Sequence, residues 1–396
     1  MQSSGLHTLE AEMLRPLSLA QHTLFADLIE QSLDDMFDEQ FPENGSFVVR
    51  TVEPKQGPRR QYWYYQGYRP AAGPHDAAQR YSRYVGPVED AALSERVARF
   101  KDIKAARAER KSTVEALVGA GIPRPQIIMG RIVEALAKAG LFRLRGVMIG
   151  TAAYQTYSGV LGVRLSKASA ITSDVDVAQF ASISEKVEDR IPDVLEVLRG
   201  VDPSFSPAPR LEDRARPTIF QNASRFRVDL LTAHRGSDEQ MSRPIAMPAL
   251  GGAAAQPLRF LDFLIHQPVR SVVLHGPGIA VSVPAPERYA VHKLIVQGRR
   301  AASTDSQIKA RKDVAQAGEL IEALAVAGRE RTLKDALSEA WERGPQWRSL
   351  LSGGIQKLPE PARTVIEVDA KALNARMPAP VARPPAPRDR GRGSAD

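Results

Sequence analysis

Two aspartates separated by a single residue stand in the run Ser173-Asp174-Val175-Asp176-Val177. In an extended strand residues i and i+2 share a face, so both carboxylates project together while Val175 and Val177 face a core. Carboxylates held that close repel and raise each other's pKa unless a cation lies between them. A third acid falls on another alternating run, Arg225-Phe226-Arg227-Val228-Asp229-Leu230-Leu231. There Phe226, Val228 and Leu230 take one face and Arg225, Arg227 and Asp229 the other. Hard carboxylate oxygens in this number suit Mg²⁺, the ion of phosphoryl-transfer sites.

The elements that must position these acids can be read around them. Gly146-Val147-Met148-Ile149-Gly150 predicts a short buried strand, and Thr151 is placed to N-cap a helix over 152–158. Val187, Ile191, Val194, Leu195 and Leu198 recur at helical spacing and predict one amphipathic helix between the two acidic strands. Strand, helix and strand then bring Asp229 beside the Asp174/Asp176 pair.

A glycine and a small hydroxyl residue opening a helix, then Asp-x-Asp, then a distant Asp on a later strand, resembles the polymerase-beta-type nucleotidyltransferase superfamily. The resemblance covers about residues 144–330. Within the superfamily it is nearest to a bacterial branch of nucleotidyltransferase-fold proteins, and abortive-infection-type toxin nucleotidyltransferases look like more distant relatives. It implies an α/β (α+β) nucleotidyltransferase fold: a mixed sheet with flanking helices, an N-terminal α+β region and a C-terminal helical domain.

By the same resemblance, Gly150 and Thr151 hold a triphosphate, and Asp174 and Asp176 ligate two Mg²⁺ ions. Asp229 is the third metal ligand and helps activate the attacking hydroxyl. Arg227, on the same strand face, joins the candidate substrate contacts. The implied reaction moves NMP from NTP to an acceptor hydroxyl and releases pyrophosphate. Two departures stand out: threonine replaces the usual serine at 151, and the interval from Thr151 to Asp174 is long, the extra length falling in 161–173.

Further on, Tyr289-x-x-His292-Lys293-Leu294, then Arg299 and Arg300, then Lys309-x-x-Lys312-Asp313, resembles the Lys-Leu … Arg … Lys-Asp pattern of the helical half of toxin-type and related nucleotidyltransferases. That likeness implies phosphate contacts from Lys293 and Lys312, with Asp313 orienting a lysine. Read from spacing alone, the same residues form a solvated helix face with an i,i+4 Lys309–Asp313 pair.

Composition narrows the classes. The 396 residues are enough for two or three domains with cores of their own. Absence of cysteine excludes disulfides and thiolate metal sites, and none of the seven histidines falls at zinc-ligand spacing. No apolar run approaches a membrane span and no signal-peptide pattern opens the chain, so a cytoplasmic protein without a membrane partner is expected. The net charge of +8 favours anionic partners. Part of it lies in 376–396, a proline- and arginine-rich tail expected to be disordered.

The expected division is an α+β region over 1–93, a helical segment over 94–143, the catalytic core over 144–285, a helical domain over 286–375, and the tail. Phe25, Ile29, Leu33 and Phe37 predict a helix over 18–37, and strands follow at 46–50 and 61–68. Six of the nine tyrosines fall between Tyr62 and Tyr84, with Trp63, Arg69, Arg80 and Arg83 among them and Arg59 and Arg60 just before. Aromatics mixed with arginine suit RNA, through stacking and phosphate contacts, and aromatics also favour strands for packing alone.

A charged helix over 94–118, a Gly/Pro break at 119–125 and a helix over 126–139 have the outline of a helix-turn-helix, followed by a strand at 141–145. Ile127, Ile128, Ile132, Val133 and Leu136 equally suit core packing. Residues 247–257 read as a mobile loop. Strands at 258–265 and 271–283, the second broken at His275-Gly276-Pro277-Gly278, are expected to extend the catalytic sheet. Pro286 opens a helix over 287–297, and another runs from 305 or 306 to 328. Its Val314, Ala317, Ile321 and Leu324 form the apolar stripe, while Lys309, Lys312 and Gln316 share another face.

The function this supports is an Mg²⁺-dependent nucleotidyltransferase acting on an NTP, with an RNA 3′ end favoured as acceptor and a protein or small molecule as alternatives. A catalytically silent nucleotide or nucleic-acid binder that keeps the fold, or a DNA-binding regulator, are the rival classes. The toxin-type likeness adds a toxin or defence role as an expectation.

Overall fold

The fold grows outward from the strand that carries the aspartate pair. The computed structural model describes residues 14–41, 45–52, 59–69, 79–100, 107–166, 172–186, 189–208, 217–234, 243–300 and 304–375. The tail at 376–396 and Val187 lie outside them. In chain order the N-terminal part comprises α1 (Leu19–Gln40), β1 (Ser46–Val52), β2 (Arg60–Arg69), β3 (Gln79–Pro87), α2 (Ala91–Ala98), α3 (Arg107–Gly119) and α4 (Ile127–Ala139). The central part comprises β4 (Val147–Ile149), α5 (Gly150–Tyr154), α6 (Tyr157–Leu161), β5 (Asp174–Ala178), α7 (Ala181–Lys186), α8 (Val194–Val201), β6 (Ser206–Pro207), β7 (Ile219–Gln221), β8 (Arg227–Ala233), β9 (Ile245–Ala246), β10 (Ala254–Leu258), α9 (Leu261–Leu264), β11 (Val269–Val273) and β12 (Ile279–Val283). Helices close the chain: α10 (Pro286–Val296), α11 (Thr304–Val326), α12 (Glu330–Glu342), α13 (Pro345–Ile355) and α14 (Glu360–Ala375).

β5 alternates as its sequence requires, with Val175 and Val177 buried. It pairs antiparallel with β4, Ile149 opposite Asp176, and parallel with β8, Asp176 opposite Asp229. The mixed sheet runs β4-β5-β8-β10-β9, and β7 pairs with β8 and carries β6. Between the acidic strands lie α7, α8 and the short strands β6 and β7, and the helix expected from Val187 begins only at Val194. Pro192 cannot continue a hydrogen-bonded helix, and Asp193 starts one by accepting from the Glu196 amide at 3.1 Å.

The sheet's far half departs from the sequence reading. The expected loop at 247–257 contains most of β10, paired parallel to β8, and the expected strand at 258–265 is mostly the turn and helix α9. Ala-Ala-Gln-Pro-Leu has little strand preference of its own, so pairing with β8 decides its conformation. Phe260, at φ 67°, then turns the chain out of the sheet into α9. β11 and β12 do not extend the catalytic sheet. They form a separate hairpin, closed by the turn in which the Gly278 amide donates to the His275 carbonyl.

Helices on both sides of the sheet share its core. Met129, Ile132, Val133 and Leu136 of α4 are buried with Val175, Val177 and Val228, and so are Tyr289, Leu294, Ile321 and Leu324 of α10 and α11. That use of α4 is packing and leaves its apolar face unavailable to a DNA groove, although Ile127 at its start is 76% exposed. The strand expected at 141–145 is a run of turns after the left-handed Gly140, where the Gly146 amide donates to the Leu141 carbonyl. The helix expected over 94–118 appears as α2 and α3, with 101–106 outside the described residues. Pro286 opens α10 as expected.

At the N-terminus β1-β2-β3 form an antiparallel sheet whose third strand no clear alternation announced. Its aromatics serve each other. Tyr65 is fully buried with Phe41 and Val85, Tyr84 meets the rings of Tyr62 and Tyr64, and the Trp63 indole donates to Ser94 at 2.9 Å. Arg59, Arg60 and Arg80 remain exposed.

Phe25 of α1 ties the N-terminal region to the core. It is buried with Leu28, Val114, Leu117 and Val272, and a Cβ on Gly159 of α6 would come within 2.3 Å of its ring. Phe25→Ala should therefore cost about 3–5 kcal/mol, measured as a fall in the urea midpoint. A midpoint within error of wild type would mean that α1 adds little to the folded state.

Candidate active site

The turn from β4 into α5 brings backbone against a carboxylate. Gly150 has φ 64°, and a Cβ there would lie 2.3 Å from Asp176 Oδ2, so only glycine fits on both counts. Thr151 does not cap the helix. It lies in the first turn of α5, whose N-cap position is Ile149, and the helix expected over 152–158 divides at Gln155–Thr156. The turn is held from the helical side. The Tyr289 hydroxyl lies 3.0 Å from the Gly150 carbonyl and 3.0 Å from Gln316 Oε1, and Gln316 Nε2 is 3.5 Å from Thr151 Oγ1. Sequence reasoning placed Gln316 on the face of Lys309 and Lys312 but gave it no task, and gave Tyr289 none either.

All three aspartates line one cleft of about 780 Å³ together with Gly150, Thr151, Arg227, Lys293 and Lys312. Asp174 accepts from the Thr172 hydroxyl, and Asp229 Oδ2 accepts from Arg227 at 2.8 Å. Asp229 Oδ1 is buried with no hydrogen-bond partner. Burial, reinforced by the charges of Asp174 and Asp229, pushes the Asp176 carboxyl up to about 7. Burial also raises Asp229, against the pull of Arg227.

A partnerless buried oxygen and a carboxylate forced toward its neutral form are what an uncompensated cation site produces, and oxygen-only donors suit Mg²⁺. Asp174, Asp176 and Asp229 are the residues that could hold it. As arranged, no three His, Asp or Glu side chains among the described residues close into a metal cage. Asp174 and Asp229 are turned to Thr172 and Arg227.

Opposite them, Asp313 draws the cations together. Its carboxylate is 3% exposed and accepts from Lys293 at 2.6 Å and from Arg300 at 2.7 and 3.0 Å. Burial alone would raise its pKa, but Lys293 and Arg300 outweigh that and hold it below the usual range. Asp313 therefore meets cations from α10 and the following turn, where spacing alone had paired it with Lys309. Burial, then the neighbouring Lys293, pushes Lys312 down, and the same two causes push His292 to about 3, leaving its imidazole neutral. Arg299 of the basic pattern lines the cleft, as do Arg259, Phe260 and Gln126, which nothing in their spacing had marked.

A family described as Nucleotidyltransferase matches residues 128–342, more than half of the chain. The chain belongs to that family. The match runs from α4 to α12 and takes in every cleft residue named above except Gln126. It bears out the reading at the level of a nucleotidyltransferase superfamily. No curated protein and no solved structure matches the chain. In this nucleotidyltransferase the acidic strands belong to the sheet and the paired cations to α10, α11 and the turn between them, so the two charge clusters face each other across the cleft.

The raised Asp176 has a measurable consequence. Between the ordinary carboxylate value near 4 and the folded value of about 7, the folded chain holds a proton that the unfolded chain has released. Stability must then fall as pH rises through this window. In EDTA, the Tm of the wild type should drop between pH 5 and pH 8 by more than that of Asp176→Asn. Equal slopes would place the buried charge elsewhere.

Proposed function

We propose that the cleft transfers NMP from an NTP to an acceptor hydroxyl, with an RNA 3′ end as the favoured acceptor, and releases pyrophosphate. The observation that carries this reading is the register of β5 on β8, which sets Asp176 opposite Asp229 inside a cleft edged by lysines and by the Gly150–Thr151 turn. Two Mg²⁺ ions held by Asp174, Asp176 and Asp229 would supply charge neutralisation at the phosphate oxygens and a more acidic acceptor hydroxyl.

The chain's own groups do the rest. Gly150 lets the turn backbone approach the phosphates closely, and the Thr151 hydroxyl lies beside it. Lys293, oriented by Asp313, and Lys312 stabilise the charge that builds on the β- and γ-phosphates as pyrophosphate leaves. The acceptor oxygen forms a bond to the α-phosphorus as the bond from that phosphorus to the bridging oxygen breaks. Asp229 is placed to receive the hydroxyl proton. Exposed Arg59, Arg60 and Arg80 on the N-terminal sheet offer an RNA acceptor outlying phosphate contacts. A cytoplasmic setting, where NTP and Mg²⁺ are at hand, fits this reading, and the likeness to toxin-type relatives makes a defence role its natural extension.

Incubation with each α-³²P-labelled NTP, Mg²⁺ and either total RNA or a protein lysate tests the reaction and separates the acceptor classes. Label should move to RNA, and Asp176→Asn should reduce the rate by about a hundredfold or more. Lys293→Ala should raise the apparent NTP constant by about tenfold. Nucleotide binding without transfer to any acceptor would leave a silent binder.

A further inference from the structure

The cleft has two ends, and the aspartates stand between them. At one end β4 and α5 present Gly150 and Thr151, and α10 and α11 bring Lys293 and Lys312. At the other, beyond β8, the floor continues onto β10, because Leu231 pairs with Gln256 and Leu258 follows on the same face. Arg259 and Phe260 come next, and Arg299 reaches over from the turn after α10.

This second end is cationic where a bound NTP is not anionic. With the triphosphate at the lysine end, the sugar and base left over carry no charge, yet Arg259 and Arg299 line the far end. Guanidiniums gathered there match further phosphates. Leu258, 37% exposed beside them, offers an apolar surface of the kind that takes the face of a nucleobase. The corner is also rigid. Phe260, a bulky residue at φ 67°, is kept there by Trp347, edge-on with ring centroids 4.6 Å apart, and it carries Arg299 5.6 Å above its ring. Backbone strain of this kind persists only where surrounding contacts fix it, and here those contacts aim an exposed arginine along the cleft.

We propose that the β10–α9 corner seats the 3′-terminal segment of a single-stranded nucleic acid. Arg259 and Arg299 contact its phosphodiester oxygens and Leu258 packs on a base, so the terminal hydroxyl arrives at Asp229 from the side opposite the triphosphate. This inference rests on the nucleotidyltransferase reading for the direction of approach, and on the wall itself for the binding.

The test is fluorescence anisotropy of a 5′-fluorescein 12-nucleotide RNA with the full chain in EDTA, over a salt series. α,β-Methylene-ATP and α,β-methylene-GTP, followed by thermal shift with Mg²⁺, report the nucleotide seat separately. Arg259→Ala/Arg299→Ala should weaken RNA binding about tenfold or more. It should also flatten the salt slope by about 1.4, as expected for two lost contacts to a single strand. The thermal shift with the nucleotide analogues should match wild type. If the double variant does not fold, Arg299→Ala alone, at an exposed side chain, is read in the same way.

Unchanged RNA binding overturns the proposal. So does a loss confined to Arg59→Ala/Arg60→Ala, which would put the strand on the N-terminal sheet. Loss of nucleotide binding with RNA binding intact overturns it as well, by giving the wall to the NTP's own base. Weakened RNA binding in a protein that transfers no NMP supports the seat and counts only against the transfer reading.

Discussion

Gly150 and the Asp176 carboxylate approach so closely that no side chain fits between them, and this contact organises the site. It requires a positive φ at the end of β4, and it requires β4 and β5 to pair with Ile149 opposite Asp176. It also brings the start of α5 over the acidic strands. Once that turn is fixed, Tyr289 and Gln316 can lock it to α10 and α11, so the helical part of the chain holds the very loop it faces.

Charge is arranged to match. The acids on the sheet are buried and close, and Asp176 feels this as a carboxyl pushed to about 7. The cations opposite would repel each other in the same way but for Asp313, which accepts from both Lys293 and Arg300 while almost wholly buried. Removing water from two such clusters is costly when each stands alone. Under the proposed reading a polyanion carrying divalent cations would offset both at once, its phosphates meeting the lysines and its metal ions the aspartates. A nucleotide with Mg²⁺ has that composition.

The N-terminal third is attached by apolar contact and by charge, since Asp90 pairs with Arg270 at 3.0 Å and the Tyr84 amide donates to Asp189 at 3.1 Å. Phe25 and Leu28 of α1 pack with α3 and the β11–β12 hairpin, and the three-stranded sheet closes a smaller aromatic core around Phe41 and Tyr65. The hairpin thus gives up a place in the catalytic sheet to serve as the surface on which α1 docks. The family match begins at residue 128 and leaves this region outside.

Local pattern alone determined the acidic strands, the glycine turn, the Pro286 start of α10 and the stripe of α11. Each follows from side-chain alternation, backbone freedom or capping, which act over a few residues. The aspartate triad was legible for the same reason: period-two spacing shows which side chains share a face. Tertiary structure decided the rest. The sequence Ala-Ala-Gln-Pro-Leu became a strand only because β8 offered it hydrogen bonds, and a helix that apolar spacing had begun at Val187 starts only at Val194, behind Pro192 and the Asp193 cap. Asp313 chose Lys293 and Arg300 over the nearer Lys309, and Tyr289 reached Gly150 across 139 residues. Periodicity records which face a residue presents, but a partner far along the chain is chosen by the packing that brings two faces together.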